Sequence, residues 1–212
     1  MRTALTLTLA IAAALATAHA HAAEESRSLA PFSSVSSSGT ANVRIEVGKA
    51  QSITVSGDDA LVREVLTEVV GTQLKIRTRR GSIELGGHDQ GVRVTITLPR
   101  LTAFEMGGAG ESVITHMSGD SLDVTFGGAG SLTADGSVHA LRLNLGGVGA
   151  IDTRNLHADT VDASVGGVGS VDVWAGTSLA ASVGGVGSLT YYGNPRTVHT
   201  SGGGLGSISR AK

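Results

Sequence analysis

The chain has 212 residues, a formal charge of −2, 31 glycines, one tryptophan and no cysteine. A charge this close to neutrality argues against a nucleic-acid partner. The absence of cysteine excludes disulfides and a cysteine-linked lipid anchor, so stability has to come from burial and backbone pairing.

Residues 1–22 read as a secretory signal peptide. Arg2 supplies a positive start, Ala4 to Ala16 is an apolar run broken only by threonines, and Ala18-His19-Ala20 and Ala20-His21-Ala22 both fit the small-x-small cleavage rule. The run is too short for a comfortable membrane span. The mature protein is therefore expected to be exported, periplasmic or extracellular, with no transmembrane segment left after cleavage. Enough chain remains for one domain with a sizeable core.

Residues 27–100 predict a β-rich section with one helix. "NVRIEV" alternates Val43, Ile45 and Val47, and "SITVSG" alternates Ile53 and Val55, with "GKAQ" between them as the turn of a hairpin. "DDALVREVLTEVV", residues 58–70, carries Leu61, Val62, Val65, Leu66 and Val69 at helical spacing behind two aspartates. "QLKIRT" and "VRVTITLP" are two further strands. The basic cluster Lys75 to Arg80 reads as the solvated face of the first of them. These elements are expected to form the opening coils and a cap for the C-terminal half of the chain, since an exposed end coil would leave backbone groups unpaired.

Residues 101–210 are a repeat. The phrase Gly-Gly-x-Gly begins at Gly107, Gly127, Gly146, Gly166, Gly184 and Gly203, at intervals of 20, 19, 20, 18 and 19 residues. One residue before it stand Met106, Phe126, Leu145, Val165, Val183 and Gly202, and three before it Phe104, Val124, Leu143, Ala163, Ala181 and Thr200. This period-two alternation means a strand with one buried face. After the phrase an apolar residue returns at Val113, Leu132, Ile151, Val171, Leu189 and Ile208, and a variable polar turn such as "TADGSVHA" comes next.

A unit of this length cannot bury its apolar face alone, so the copies stack. The fold class predicted is all-β, a parallel β-solenoid (β-helix) of about 19–20 residues per coil. An antiparallel sandwich of hairpins is the opposing reading, but hairpins do not explain why one side-chain type recurs at one phase of every unit. The glycine pairs Gly107 and Gly108, Gly127 and Gly128, Gly146 and Gly147, Gly166 and Gly167, Gly184 and Gly185, and Gly203 and Gly204 are expected at the corners, where positive φ or close approach of stacked backbones needs a residue without Cβ. The residue between the glycines grows from Ala109 and Ala129 through Val148, Val168 and Val186 to Leu205, while the residue before the phrase shrinks. A core of constant cross-section would explain this exchange if both positions face inward.

"FSSVSSSGTANVRIEVGKAQSITVSGDDALV", "TQLKIRTR", "VRVTITLPRLTAFEMGGAGE" and the Gly-x-Gly units together resemble the bacterial head GIN domain family, whose members are described as autotransporter adhesins. The resemblance spans roughly residues 29 to 209 and implies a β-helical protein outside the cytoplasm, without naming a ligand.

No cofactor is expected. The phrase fails as a phosphate loop, since no Lys-Ser/Thr comes after it, and as a dinucleotide loop, since its third glycine is misplaced. Calcium rolls need Asp where this chain has Leu132, Ile151, Val171 and Leu189; Asp152 and Asp172 come one place late, in a row with Thr133, Thr190 and Ser209. His88, His116, His139, His157 and His199 fall at different phases, which argues against a metal cluster. The function predicted is non-enzymatic: adhesin-like binding or scaffolding at the cell envelope, with an envelope glycan or protein as partner. The candidate surface is the polar stripe Thr125, Asn144, Ser164, Ser182 and Ser201, outward by alternation. The alternative is a polysaccharide-active β-helix enzyme using outer-face carboxylates, with Asp123, Asp162, Asp152 and Asp172 as candidates.

Overall fold

A computed structural model describes residues 22–79 and 91–211. Residues 1–21 of the expected export signal, with Arg80 and His88, lie outside the described residues. The elements are β1 (Ala22–Ser26), β2 (Ser34–Ser37), β3 (Asn42–Val47), β4 (Ser52–Asp58), α1 (Asp59–Glu64), β5 (Val65–Val70), β6 (Gln73–Thr78), β7 (Arg93–Leu98), β8 (Ala103–Met106), β9 (Ala109–Phe126), β10 (Ala129–Leu145), β11 (Val148–Val165), β12 (Val168–Val183), β13 (Val186–Tyr192), β14 (Thr197–Gly202) and β15 (Ser207–Arg210). From β8 onward each strand pairs in parallel with its counterpart one coil away, β8 and β10 with β9, β11 with β10 and β12, then β13 and β14 with β12, and β15 with β13. The result is a parallel β-solenoid of about five turns.

The strands bend through the corners with few breaks in their pairing. β10 runs beside β11 from Ala129↔Val148 to Leu145↔Val165, with one register shift between Thr133 and Asp135. The stretch "TADGSVHA" is therefore paired strand rather than a free turn, and it contributes Ala134 and Val138 to the core. The inward rows stack by type: Leu122, Leu141, Val161 and Leu179; Phe126, Leu145, Val165 and Val183; Leu132, Ile151, Val171 and Leu189, all buried. Each such side chain contributes about 1.5–3 kcal/mol on burial, and the rows join into one core running from Phe32 to Leu189.

The first copy departs from its reading. Ser112, not Val113, pairs with Leu132 and points inward, where its hydroxyl donates to Met106 Sδ at 3.4 Å. The first coil is one residue longer than the second, and the surplus sits as a bulge at His116, whose φ of 57° is the one left-handed non-glycine among the described residues. The Asp135 carboxylate accepts from the His116 N–H at 2.8 Å and holds the bulge.

Two expectations for the first hundred residues are corrected. β3 and β4 do not form a hairpin, because β7 lies between them, parallel to β3 and antiparallel to β4. That insertion aligns Val94, Ile96 and Leu98 with Val43, Ile45 and Val47, while Ile96 and Val94 also face Ile53 and Val55, so three apolar rows share one core. The helix covers Asp59–Glu64 alone, capped by Asp58, whose side chain accepts from the Ala60 N–H. The rest of the helical stripe is β5, antiparallel to β6. β-Branched Val65, Thr67, Val69 and Val70 favour the extended form, and a waiting strand edge decides it.

β2 and β3 stack parallel against β8 and β9, and β6 and β7 stack parallel on their far side. A reduced corner survives there: Thr40 bridges to Ala109, and Gly39 lies against Gly108. The antiparallel strands β4, β1 and β5 are added on that side.

Within the repeated phrase the glycines are not equivalent. A Cβ on the second glycine would stand 1.9 Å from the Gly108 carbonyl oxygen at Gly128, and 2.0 Å from the preceding coil's carbonyl at Gly147, Gly167 and Gly185. The last glycine is as tight, with 2.0 Å at Gly130 and 1.8 Å at Gly169. A Cβ on the first glycine would meet nothing within 4 Å at Gly107, Gly146 and Gly184. Gly147→Ala should therefore destabilise the fold by about 3 kcal/mol or more, because backbone rather than a movable side chain is in the way. Its neighbour Gly146→Ala should change stability by about 1 kcal/mol or less. Urea unfolding of the two variants checks this, and equal losses would contradict it.

Candidate binding surface

Because the coils stack in register, outward residues also form rows. On the face before the corner, Thr125, Asn144, Ser164, Ser182 and Ser201 are successive partners. Thr125, Asn144 and Ser201 are exposed, while the half-buried Ser164 and Ser182 hydroxyls hydrogen-bond at 3.2 Å. Two residues earlier along each strand runs the row Asp123, Arg142, Asp162, Ala180 and His199. The two rows share a shallow groove, with one hollow of about 400 Å³ over Asp123, Arg142, Asn144 and Ser164 and another of about 430 Å³ reaching Asp162, Ala180 and His199. Arg142 donates to Asp123 at 3.0 Å. That pair is exposed and adds little to stability, and it separates Asp123 from Asp162.

The corner itself overturns one expectation. The residue between the glycines faces outward: Val148 is 58% exposed, Val168 48%, Val186 50% and Leu205 83%. The glycines on either side turn toward the preceding coil's carbonyls, so the side chain between them is turned outward. The residue before the phrase is buried from Met106 to Val183, so the growth in volume from Ala109 to Leu205 does not compensate for its shrinkage.

Beyond the corner, Thr133, Asp152, Asp172, Thr190 and Ser209 form the row that the repeat phase gives them. Arg154 lies across the two carboxylates, with its guanidinium 2.8 Å from Asp152 and 3.2 Å from Asp172. Partial burial pushes the Asp152 carboxyl up, but hydrogen bonds from the Arg154 side chain and backbone, with its charge, outweigh this and hold it below the ordinary carboxylate range. A general acid would need the opposite shift. Among the described residues no group of three or more His, Asp or Glu side chains is placed to hold a metal ion. On β6, Lys75 faces Glu68 across the strand pair and Arg77 forms an ion pair with it.

Sequence reasoning missed one constellation. The rings of His157 and Trp174 stack, centroids 4.3 Å apart and planes 12° from parallel, and Tyr192 is the register partner of Trp174 on its other side. Arg154 sits over the Tyr192 ring at 5.7 Å. A register shift after Thr153 leaves three residues of β11 without partners in β12 and brings His157 opposite Trp174. One signal was available, since Trp174 and Tyr192 lie 18 residues apart, one coil. The bulge hid His157. Nearby, His139 Nδ1 lies 2.9 Å from an Asp159 carboxylate oxygen. The hydrogen bond to Asp159, then its charge and that of Asp120, raise the His139 imidazole above its usual range. The ion pair accordingly exists while His139 is protonated and Asp159 is ionised, and it is lost as pH rises through this raised value. Proton NMR should find His139 titrating above an unperturbed histidine, and Asp159→Asn should bring it down; a pKa indifferent to that change would refute the pairing.

Among the described residues no helix is long and apolar enough to cross a membrane. No curated protein matches the chain. Solved structures do. A protein from Bacteroides fragilis described as "a putative adhesin" superposes with a TM-score of 0.72 at 24% identity, over 90% of this chain and 97% of that one. A "putative lipid binding protein" from Parabacteroides distasonis gives 0.47 at 18% identity, over 90% and 97%, and an adhesin-named protein from Parabacteroides merdae gives 0.46 at 13%, over 90% and 96%. The first of these likenesses supports the solenoid fold. Residues 31–195 match the family described as "Putative auto-transporter adhesin, head GIN domain", and with that match covering most of its length the chain belongs to the head GIN domain family.

Proposed function

We propose that this head GIN domain protein is exported and acts by binding at the cell envelope rather than by turnover. Its contact surface on this reading is the groove between the polar stripe and the charged row. The observation that carries the proposal is the register. Thr125, Asn144, Ser164, Ser182 and Ser201 repeat at the inter-strand spacing beside Asp123, Arg142 and Asp162, which gives a long surface of regularly spaced hydrogen-bonding groups. Such a surface suits an extended partner, an envelope glycan or a protein strand, that repeats along its own length. The Arg154 clamp on Asp152 and the Arg142 side chain between Asp123 and Asp162 favour binding over acid–base chemistry. Export rests on the apolar run and cleavage pattern of residues 1–22.

A double variant, Asn144→Trp with Ser164→Tyr, fills the groove from two exposed or half-buried positions without touching the core. It should fold as wild type and bind isolated envelopes or an arrayed glycan roughly tenfold more weakly, a loss of about 1.4 kcal/mol. Unchanged binding would dispose of the groove. Cell fractionation that finds the unprocessed chain in the cytoplasm would dispose of export.

A further inference from the structure

We propose that the cleft beside His157 is a carbohydrate subsite that takes one neutral pyranose ring on the free face of the His157 imidazole. The inference goes beyond the groove reading above, at a separate cleft, and rests on it only in taking the protein to bind at the cell envelope.

The geometry starts from the stacking direction. His157 and Trp174 are register partners on adjacent strands, and their rings lie nearly parallel at 4.3 Å, close to the strand spacing itself. The ring normals therefore run along the row of partners, so the other face of His157 looks toward the next residue in that row. That residue is Ser137, and the one beyond it is Ser118. Two small side chains succeed two flat rings, and the stack ends in open space. The space is a cleft of about 560 Å³ whose walls include Ser118, Ser137, His157 and Trp174, within the range of small-ligand sites. A flat ring entering over Ser137 would continue the stack.

The rim selects the kind of ring. Asp120, His139 and Asp159 border the same cleft. Two carboxylates offer paired acceptors, and His139, bonded to Asp159 through Nδ1 at 2.9 Å, presents Nε2 as a donor when the ring is protonated and as an acceptor when it is neutral. Vicinal hydroxyls match that set, while the apolar C–H face of a pyranose matches the imidazole. A phosphate or carboxylate ligand meets two aspartates and is disfavoured. A purely aromatic ligand uses the stack and leaves the rim unanswered.

Trp174 is the chain's one tryptophan, so its emission reports on this stack alone. The test titrates the exported form with methyl β-D-galactopyranoside and methyl β-D-glucopyranoside, following Trp174 fluorescence and ligand saturation-transfer NMR. Saturable binding of either glycoside is expected, as is its weakening by roughly tenfold or more in Ser137→Leu, which fills the cleft and leaves the rings stacked. His157→Ala should weaken it comparably. No binding to the wild type, binding indifferent to Ser137→Leu, or a stronger response to indole than to both glycosides would each overturn the subsite. Envelope binding by the same Ser137→Leu protein separates the two readings: if it persists while glycoside binding is absent from the wild type, the subsite falls and envelope binding stands; if wild type binds neither envelope nor glycoside, both fall.

Discussion

The structure depends on one contact, the carbonyl oxygen of a corner glycine lying where a side chain would begin on the glycine stacked above it. A Cβ on Gly128 would stand 1.9 Å from that oxygen, and one on Gly169 1.8 Å. No residue with a Cβ fits such a separation. The same approach allows the backbone ladder to pass around the corner: Gly128 N–H donates to Met106 O, Ala129 N–H to Gly108 O, Gly147 N–H to Phe126 O and Val148 N–H to Gly128 O. Without those bonds each coil would leave its corner amides without a backbone partner at every turn. With them, the strands before and after the corner keep one register, and every row of the core and of the surface inherits it.

This explains how unevenly the sequence can be read. The six-fold phrase predicts the solenoid because a corner constraint repeats with the coil, and period-two alternation then picks out Val124, Leu143 and Val165 as core. The polar stripe comes from the same phase. What fails are features set by partners the local sequence cannot name. The helical spacing of Leu61 to Val69 is real, yet Val65–Val70 pairs with β6 instead. "NVRIEV" and "SITVSG" have the pattern and the turn of a hairpin, yet β7 arrives from about fifty residues away in the chain to lie between them. The corner residues Val148, Val168 and Val186 mislead for another reason: their apolar character suggests the interior, while the tight glycines beside them require the outside.

The outward valines and the charged pairs divide the surface by energy as well as by position. Exposed pairs such as Arg142 with Asp123 gain little in water, so the charged row is not what holds the coils together. Core rows and corner bonds do that. The surface rows are therefore free to vary in chemistry from coil to coil without loss of fold, and they do, from Asp123 to Arg142, Asp162, Ala180 and His199 along a single row.

On the proposed readings the regular rows set the spacing for an extended partner, and finer selectivity belongs where the repeat is broken. A flawless solenoid presents identical rows and can distinguish a partner only by length and spacing. Register shifts change that. The bulge at His116 and the three unpaired residues after Thr153 each release a side chain from the phase of its coil, and bulges in sheets commonly re-aim side chains near functional sites. Beside the second, one histidine is moved against a tryptophan and a second histidine lies against an aspartate, around one cleft. The glycine corners supply the constancy that makes such local departures tolerable, because a lesion in one turn is held by the turns on both sides of it.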